Sequence, residues 1–312
     1  MVGGLLTDRV IAVTGAGGGL GRAHALALAA EGAHVVVNDL GCAVDGSGAD
    51  PAVAQAVAAE ITEAGGSAVA SSADIATMGG AQSLLDLALG HYGRLDGLVN
   101  SAGVLRDRMF VNMSEDEWDG AIRNHLKSFF CPTRIAAAYW RDESKAGRRF
   151  AASVVSMSST SGLVGQVGQS NYGAAKAAIA GATVILAQEL GRYGVRVNAL
   201  TPVARTRMTE DTPGVADLVR APADPAEFDI FDPANVSPTV AWLVSADCDI
   251  TGRVLYAKGG ELRLFDGWRY VGTVDAGRRM TVAEAGQAVA GLLAERTAAN
   301  GAGSTVTAAT HA

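Results

Sequence analysis

A chain of 312 residues, 49% apolar and 18% charged, holds enough core-forming material for one large α/β domain or two smaller ones. It is too apolar and too weakly charged for general disorder, and its 39 glycines, well above a background of about 7%, follow no collagen period. The net charge of −7 opposes the phosphate footprint of a nucleic-acid binder, so no nucleic-acid partner is expected.

Short β-branched runs at residues 10–14, 34–38, 67–71, 97–100, 152–156, 195–200 and 254–257 alternate with Ala- and Leu-rich stretches of helical period. The helical stretches are 21–31, 51–64, 78–92, 115–141, 172–191 and 238–244. Continuous apolar strands separated by helices predict a parallel sheet buried on both faces. The expectation is a single doubly wound Rossmann domain, seven parallel strands with helices on both sides, spanning residues 1–262. Residues 203–237, rich in proline and too long for an ordinary connection, read as a lid. Residues 263–312 read as an extension with one helix at 282–296 and a loose tail. Cys42, Cys131 and Cys248 have no metal-ligand spacing, so they read as reduced and no metal is expected. No leader or spanning segment is legible, and a cytoplasmic protein without a membrane partner is expected.

The first strand runs into Thr14-Gly15-Ala16-Gly17-Gly18-Gly19-Leu20-Gly21. Glycines at a strand-to-helix turn let backbone approach a pyrophosphate, which the amides of the helix start then hold. Such a cluster also fits a flexible loop. Asp39, at the end of the second strand, supports the nucleotide reading, because a carboxylate there accepts the hydroxyls of an adenosine ribose. No Lys or Arg in 16–19 or 40–48 offsets its charge, so NAD is expected over NADP.

The densest chemistry is Ser156-Met157-Ser158-Ser159-Thr160-Ser161-Gly162 followed by Tyr172-Gly173-Ala174-Ala175-Lys176. Tyr172 and Lys176 share a helix face. A cation about 4–5 Å from a phenol favours the phenolate by about 3–4 kcal/mol at an effective dielectric of about 20, which brings a tyrosine of pKa near 10 toward neutrality. The same spacing also occurs in plain surface pairs, but this chain has only four lysines and one stands here.

Taken together these residues resemble the classical short-chain dehydrogenase/reductase family over about 6–260. The resemblance includes the glycine loop, Asp74, Asn100-Ser101-Ala102-Gly103, Asn124, Ser159, Tyr172 and Lys176. It implies that Tyr172 is the general acid/base and that Lys176 lowers its pKa and bonds the nicotinamide ribose. It also implies that Ser159 contacts the substrate oxygen and that Asn124 holds a water in a proton relay. Gly15, Gly18, Gly19, Leu20, Gly21, Asp39, Asp74, Ile75, Asn100, Ala102 and Gly103 would line the cofactor. Which hydroxyl among Ser158 to Ser161 faces substrate stays open. The Thr201-Pro202-Val203-Ala204-Arg205-Thr206 stretch lacks the family's usual Pro-Gly, so Val203 and Thr206 are the candidates for the carboxamide. Within the family, stretches 36–41, 103–108 and 207–209 resemble the type 2 multifunctional branch. That implies a (3R)-hydroxyacyl-CoA or hydroxysteroid-type substrate, with Arg106, Arg108, Arg205 and Arg207 as candidates for a CoA phosphate or as ordinary ion-pair partners. The alternatives are a 3-oxoacyl thioester reductase and a vestigial NAD-sensing protein. The family resemblance further implies a homodimer or homotetramer through the long helices.

Overall fold

A computed structural model describes residues 4–43, 47–148, 151–206, 209, 216–224 and 226–301. Strands β1 (Val10–Thr14), β2 (His34–Asn38) and β3 (Ser67–Ser71) are joined by helices α1 (Gly19–Ala30) and α2 (Ala52–Glu63). α3 (Met78–Tyr92) leads to β4 (Gly97–Asn100). A capping box formed by Ser114 and Glu117 starts α4 (Glu115–Ala121). Here the single helix expected at 115–141 is corrected: a π-helical turn at Ile122–Lys127 separates α4 from α5 (Ser128–Lys145). Then come β5 (Ala152–Met157), α6 (Thr160–Leu163), α7 (Ser170–Leu190), β6 (Val195–Pro202), α8 (Ser237–Val244) and β7 (Val254–Lys258).

Among the described residues the sheet has eight strands in the order β3-β2-β1-β4-β5-β6-β7-β8, one more than the seven expected. The first seven are parallel, and β8 (Glu261–Phe265) folds back antiparallel on β7 through a two-residue Gly259-Gly260 turn. Its sequence, Glu-Leu-Arg-Leu-Phe, alternates instead of running apolar, because an edge strand lies outside the buried layers. The Arg263–Glu261 pair puts charge on that edge, which discourages further strand pairing.

Side chains alternate between two half-cores. Ile11, Val13, Val35 and Val37 pack on one face with Leu28, Ile61, Val240 and Leu243. Val10, Ala12 and Val36 pack on the other with Leu84, Leu85, Trp140 and Leu190. His24 is sealed inside α1 with Nδ1 2.9 Å from Ser237 Oγ, and burial lowers its pKa to about 3. A histidine held neutral in the native state and titrating near 6.5 when unfolded contributes stability above that pH and loses it as the pH falls toward 3. The slope is about 1.4 kcal/mol per pH unit for each such histidine. Urea melts between pH 7.5 and 4.5 should show this loss and a shallower one in His24→Gln; equal slopes in both proteins would rule His24 out as a source.

In the segment expected as a lid, the backbone of Phe231 accepts from Arg205 N at 2.7 Å, and Asp229 pairs with the Arg205 guanidinium at 2.5 Å. Residues 229–231 are thereby tied to the chain leaving β6. The rest of that expectation, at 207–208, 210–215 and 225, lies outside the described residues, as does the tail beyond 301.

The chain divides into two compact units after Phe265. The second contains α9 (Val282–Gly301), longer than the expected 282–296 and started by Thr281, whose amide donates to Glu284 Oε2 at 2.8 Å. Among the described residues no helix is long and apolar enough to cross a membrane.

Candidate active site

The cleft lies at the carboxyl ends of β1, β4 and β5, where the sheet order reverses and α/β folds bind ligands. Gly15 sits at φ +65°, and a Cβ there would stand 2.6 Å from the Ala102 Cα, so only glycine lets the loops after β1 and β4 close on each other. Thr14 Oγ1 ties them further, accepting from the amides of Ser101 at 3.2 Å and Ala102 at 3.4 Å. Gly18 begins α1 without a side-chain cap. The amides of the first turn are therefore left for an outside acceptor, and Gly18, Gly19, Leu20 and Gly21 all line the cleft. This geometry fits a dinucleotide pyrophosphate.

Asp39 closes one end. Its Oδ2 accepts from Gly17 N at 2.8 Å and its Oδ1 from Gly41 N at 2.7 Å, which fixes the carboxylate and leaves a lone pair on each oxygen for a ribose hydroxyl. Arg22, the first basic residue after the loop, pairs with Glu60. Asp74 accepts from Ala76 N at 3.0 Å and from Arg123 Nη2 at 2.6 Å, and Ile75 lines the cleft beside it. Asn100 reaches away from the cleft to bridge α5 and β5, donating to Thr133 Oγ1 at 3.0 Å and Ser156 Oγ at 3.1 Å.

At the other end α7 presents Tyr172 and Lys176. Lys176 is 5% exposed, donates from Nζ to the Met157 carbonyl at 2.7 Å and lies 5.5 Å from the centre of the Tyr172 ring. Burial lowers its pKa to about 7. The expected depression of Tyr172 by this cation is not what the structure has. Burial raises the phenol above its ordinary value; a hydrogen bond with Ser159 works against the rise and the Asp107 carboxylate adds to it. The physical reason is that the lysine is itself desolvated and aimed at a carbonyl, so little of its charge favours the phenolate.

The structure also separates the hydroxyls between Ser158 and Ser161. Ser158 is buried and donates to the Lys176 carbonyl at 2.8 Å. Ser159 caps α6 and lines the cleft with Tyr172. Ser161 donates to Gln169 Oε1 at 2.6 Å.

Asn124 lines the cleft, but its amide folds back to donate to the Gly120 carbonyl at 2.9 Å. The residue that touches Tyr172 from the π-turn is His125, the neighbour of Asn124 in the chain. Its ring meets the Tyr172 ring edge-on at 4.9 Å, and Nε2 lies 2.6 Å from the Val104 carbonyl. That bond makes Nε2 the donor and leaves Nδ1 a buried acceptor without a partner. Burial, followed by the charge of Lys176, lowers its pKa to about 3, so it is neutral at working pH. A side chain at Gly103 would run into this ring. Periodicity carried no signal for His125, since a π-turn shifts the phase of every residue after it.

Val203 and Thr206 both line the cleft. The Val203 amide is taken by the Ala257 carbonyl at 2.9 Å, which leaves its carbonyl as the backbone candidate. Thr206 stands across from the glycine loop, its Cγ2 3.3 Å from where a Gly19 Cβ would be. Arg108 pairs with Glu117 at 2.9 Å and Arg205 with Asp229 at 2.5 Å, while Arg207 lies outside the described residues.

The family model described as short chain dehydrogenase matches residues 9–214. The chain is 45% identical over 262 residues to hydroxyacyl-CoA dehydrogenase ChsB1 of Mycobacterium tuberculosis, covering 83% of this chain and 80% of that protein. It is 40% identical over 252 residues to peroxisomal multifunctional enzyme type 2 of Mus musculus, covering 81% of this chain and 32% of that one. A crystal structure of a short chain dehydrogenase from Mycobacterium avium superposes with a TM-score of 0.82 at 48% identity, over 93% of this chain and 96% of the other. Motifs, fold and relatives agree: the chain belongs to the short-chain dehydrogenase family and is an oxidoreductase.

Proposed function

We propose that this protein oxidises the secondary alcohol of a 3-hydroxyacyl-CoA or hydroxysteroid-type substrate with NAD. The observation that carries the reading is the single cleft with a fixed carboxylate, Asp39, at one end and Ser159, Tyr172 and Lys176 around one point at the other. The glycine loop and Asp39 would hold the dinucleotide, which would supply the hydride acceptor for the alcohol carbon. Tyr172 takes the hydroxyl proton, Ser159 holds the oxygen in line, and Lys176 and neutral His125 orient the phenol from either side. Asp39 favours NAD by binding the ribose hydroxyls and repelling a 2′-phosphate, which also argues against a reductase driven by NADPH. The substrate class is supported by the relatives, among them hydroxyacyl-CoA dehydrogenase ChsB1 and peroxisomal multifunctional enzyme type 2.

Exposed Phe130 on α5 and Val184 and Ile185 on α7 give the long helices an apolar outer surface, which supports pairing between copies as a homodimer or homotetramer. The test is a panel of 3-hydroxyacyl-CoAs and 17β-hydroxysteroids with NAD at alkaline pH, followed by the absorbance of the reduced nicotinamide. At least one acyl-CoA or steroid should turn over. Inertness of the whole panel, with NADPH-driven reduction of 3-oxoacyl thioesters, would replace this reading by the reductase one.

A further inference from the structure

Behind the catalytic serine runs a chain of hydrogen bonds that the reaction as described does not use. Ser159 Oγ donates to Ser161 Oγ at 3.2 Å, Ser161 Oγ donates to Gln169 Oε1 at 2.6 Å, and Gln169 Nε2 donates to Asp107 Oδ2 at 2.5 Å. The two loops that carry its far end are tied by backbone: Arg108 bridges Gln169, and its amide donates to the Gly168 carbonyl at 2.9 Å. Asp107 and Gln169 are thus held together by more than their side chains.

The direction of this chain follows from its end. A carboxylate accepts only, so the Gln169 amide must turn its NH2 toward Asp107 and its oxygen toward Ser161. Ser161 must then give its one proton to Gln169. Its oxygen is left as an acceptor, and the Ser159 proton is drawn to it. The Ser161 backbone amide, donating to Ser159 Oγ at 3.1 Å, fixes the serine oxygen while this happens. Ser159 and Tyr172 line the same cleft, and the serine hydroxyl acts on the phenol to lower its pKa. One proton therefore has two claimants, and a phenolate is stabilised only by the share it receives.

We infer that Asp107, acting through Gln169 and Ser161, draws the Ser159 proton away from Tyr172 and so sets the pH at which Tyr172 gives up its own proton. Asp107 is a positioning residue in this scheme. It deepens the acid/base reading of Tyr172 and does not depend on the identity of the substrate. The groups facing the phenol are Lys176 from α7, His125 from the π-turn, Ser159 from the start of α6 and Asp107 from the loop after β4. Asp107 keeps one buried oxygen without a partner, and burial raises its carboxyl while Gln169 holds it down.

The test is a titration of Tyr172 by tyrosinate absorbance, read as the difference between each protein and the same protein carrying Tyr172→Phe. It uses wild type, Asp107→Asn and Gln169→Met, and no substrate. Gln169→Met breaks the chain and releases the Asp107 carboxyl from the bond that holds it down, but the phenol titrates in the alkaline range where that carboxyl is charged, so what changes there is that Ser161 is free to donate to Ser159 and Ser159 to Tyr172. The Tyr172 midpoint should fall by about half a unit to one unit in Gln169→Met, the worth of one ordinary hydrogen bond. It should fall at least as far in Asp107→Asn. The rise of the oxidation rate with pH, measured on any alcohol that turns over, should move to lower pH by the same amount. An unchanged or raised midpoint in Gln169→Met overturns the inference, even if Asp107→Asn alone lowers it, since charge through space would then explain everything. Should Asp107→Asn fail to fold, Gln169→Met decides. A protein inert toward every acyl-CoA and steroid but with a lowered midpoint would keep this inference and remove only the substrate assignment.

Discussion

Tyr172→Phe should lower turnover by about 10² or more while dinucleotide binding stays near the wild-type value. The substitution removes one oxygen and leaves the ring, so the edge-on contact with His125 at 4.9 Å and the cover over Lys176 both remain. What disappears is the phenol that, on the proposed function, takes the alcohol proton beside Ser159. Burial holds the phenol above its ordinary value in the free protein, so the wild-type oxidation rate should climb with pH as Tyr172 loses its proton. The residual rate of the variant should lack that climb. Steady-state rates across pH 6 to 10, with dinucleotide affinity from fluorescence titration, check both halves. A variant retaining a third of the wild-type rate would mean that another group carries the proton, and a sensing rather than catalytic protein would show no substrate-dependent rate to lose.

Asp39→Asn should shift the ratio of kcat/KM for NADP over NAD by about a hundredfold toward NADP. A 2′-phosphate about 5 Å from the carboxylate costs about 3 kcal/mol at an effective dielectric of about 20, and 1.4 kcal/mol corresponds to a factor of ten. Asparagine is the informative replacement because the side chain has a second task. Its two oxygens receive the amides of Gly17 and Gly41, and alanine would strand both. The asparagine carbonyl still accepts from one of them. The melting temperature of the variant, read beside the kinetics, separates a loosened glycine loop from lost repulsion. Equal use of NAD and NADP by the wild-type protein would show that Asp39 does not discriminate.

The parts of this molecule that sequence made legible are those governed by burial. β1, β2 and β4 fall where the continuous apolar runs put them, since a strand buried on both faces has no freedom to alternate. Glycine and aspartate at the β1 and β2 ends were legible because their roles depend on backbone and charge. β8 was not: two exposed leucines on either side of Arg263, Leu262 and Leu264, look like the start of a loose extension until β7 is there to pair with. The catalytic neighbourhood was legible only along α7, where spacing of four residues fixes a shared face. His125 and Asp107 come to the Tyr172 neighbourhood from two other segments, and no spacing rule connects residues brought together by tertiary folding. The acidity of Tyr172 was not legible either, because spacing shows the charge of Lys176 and not its burial, and burial disfavours the charged form of both partners at once.

The π-turn at Ile122–Lys127 has a consequence for how this stretch can vary. Six residues there are wound more widely than the α-helices on either side, so α4 and α5 are one rod but two registers. The amphipathic stripe of α5, which carries Phe129, Ala136 and Trp140 into the core, does not continue the stripe of α4. Each half can therefore drift in sequence without dragging the other around the axis. A one-residue deletion between them, by contrast, would bring the two halves into phase and carry His125 off the tyrosine, a mechanical fault that no single side-chain exchange in either half would produce.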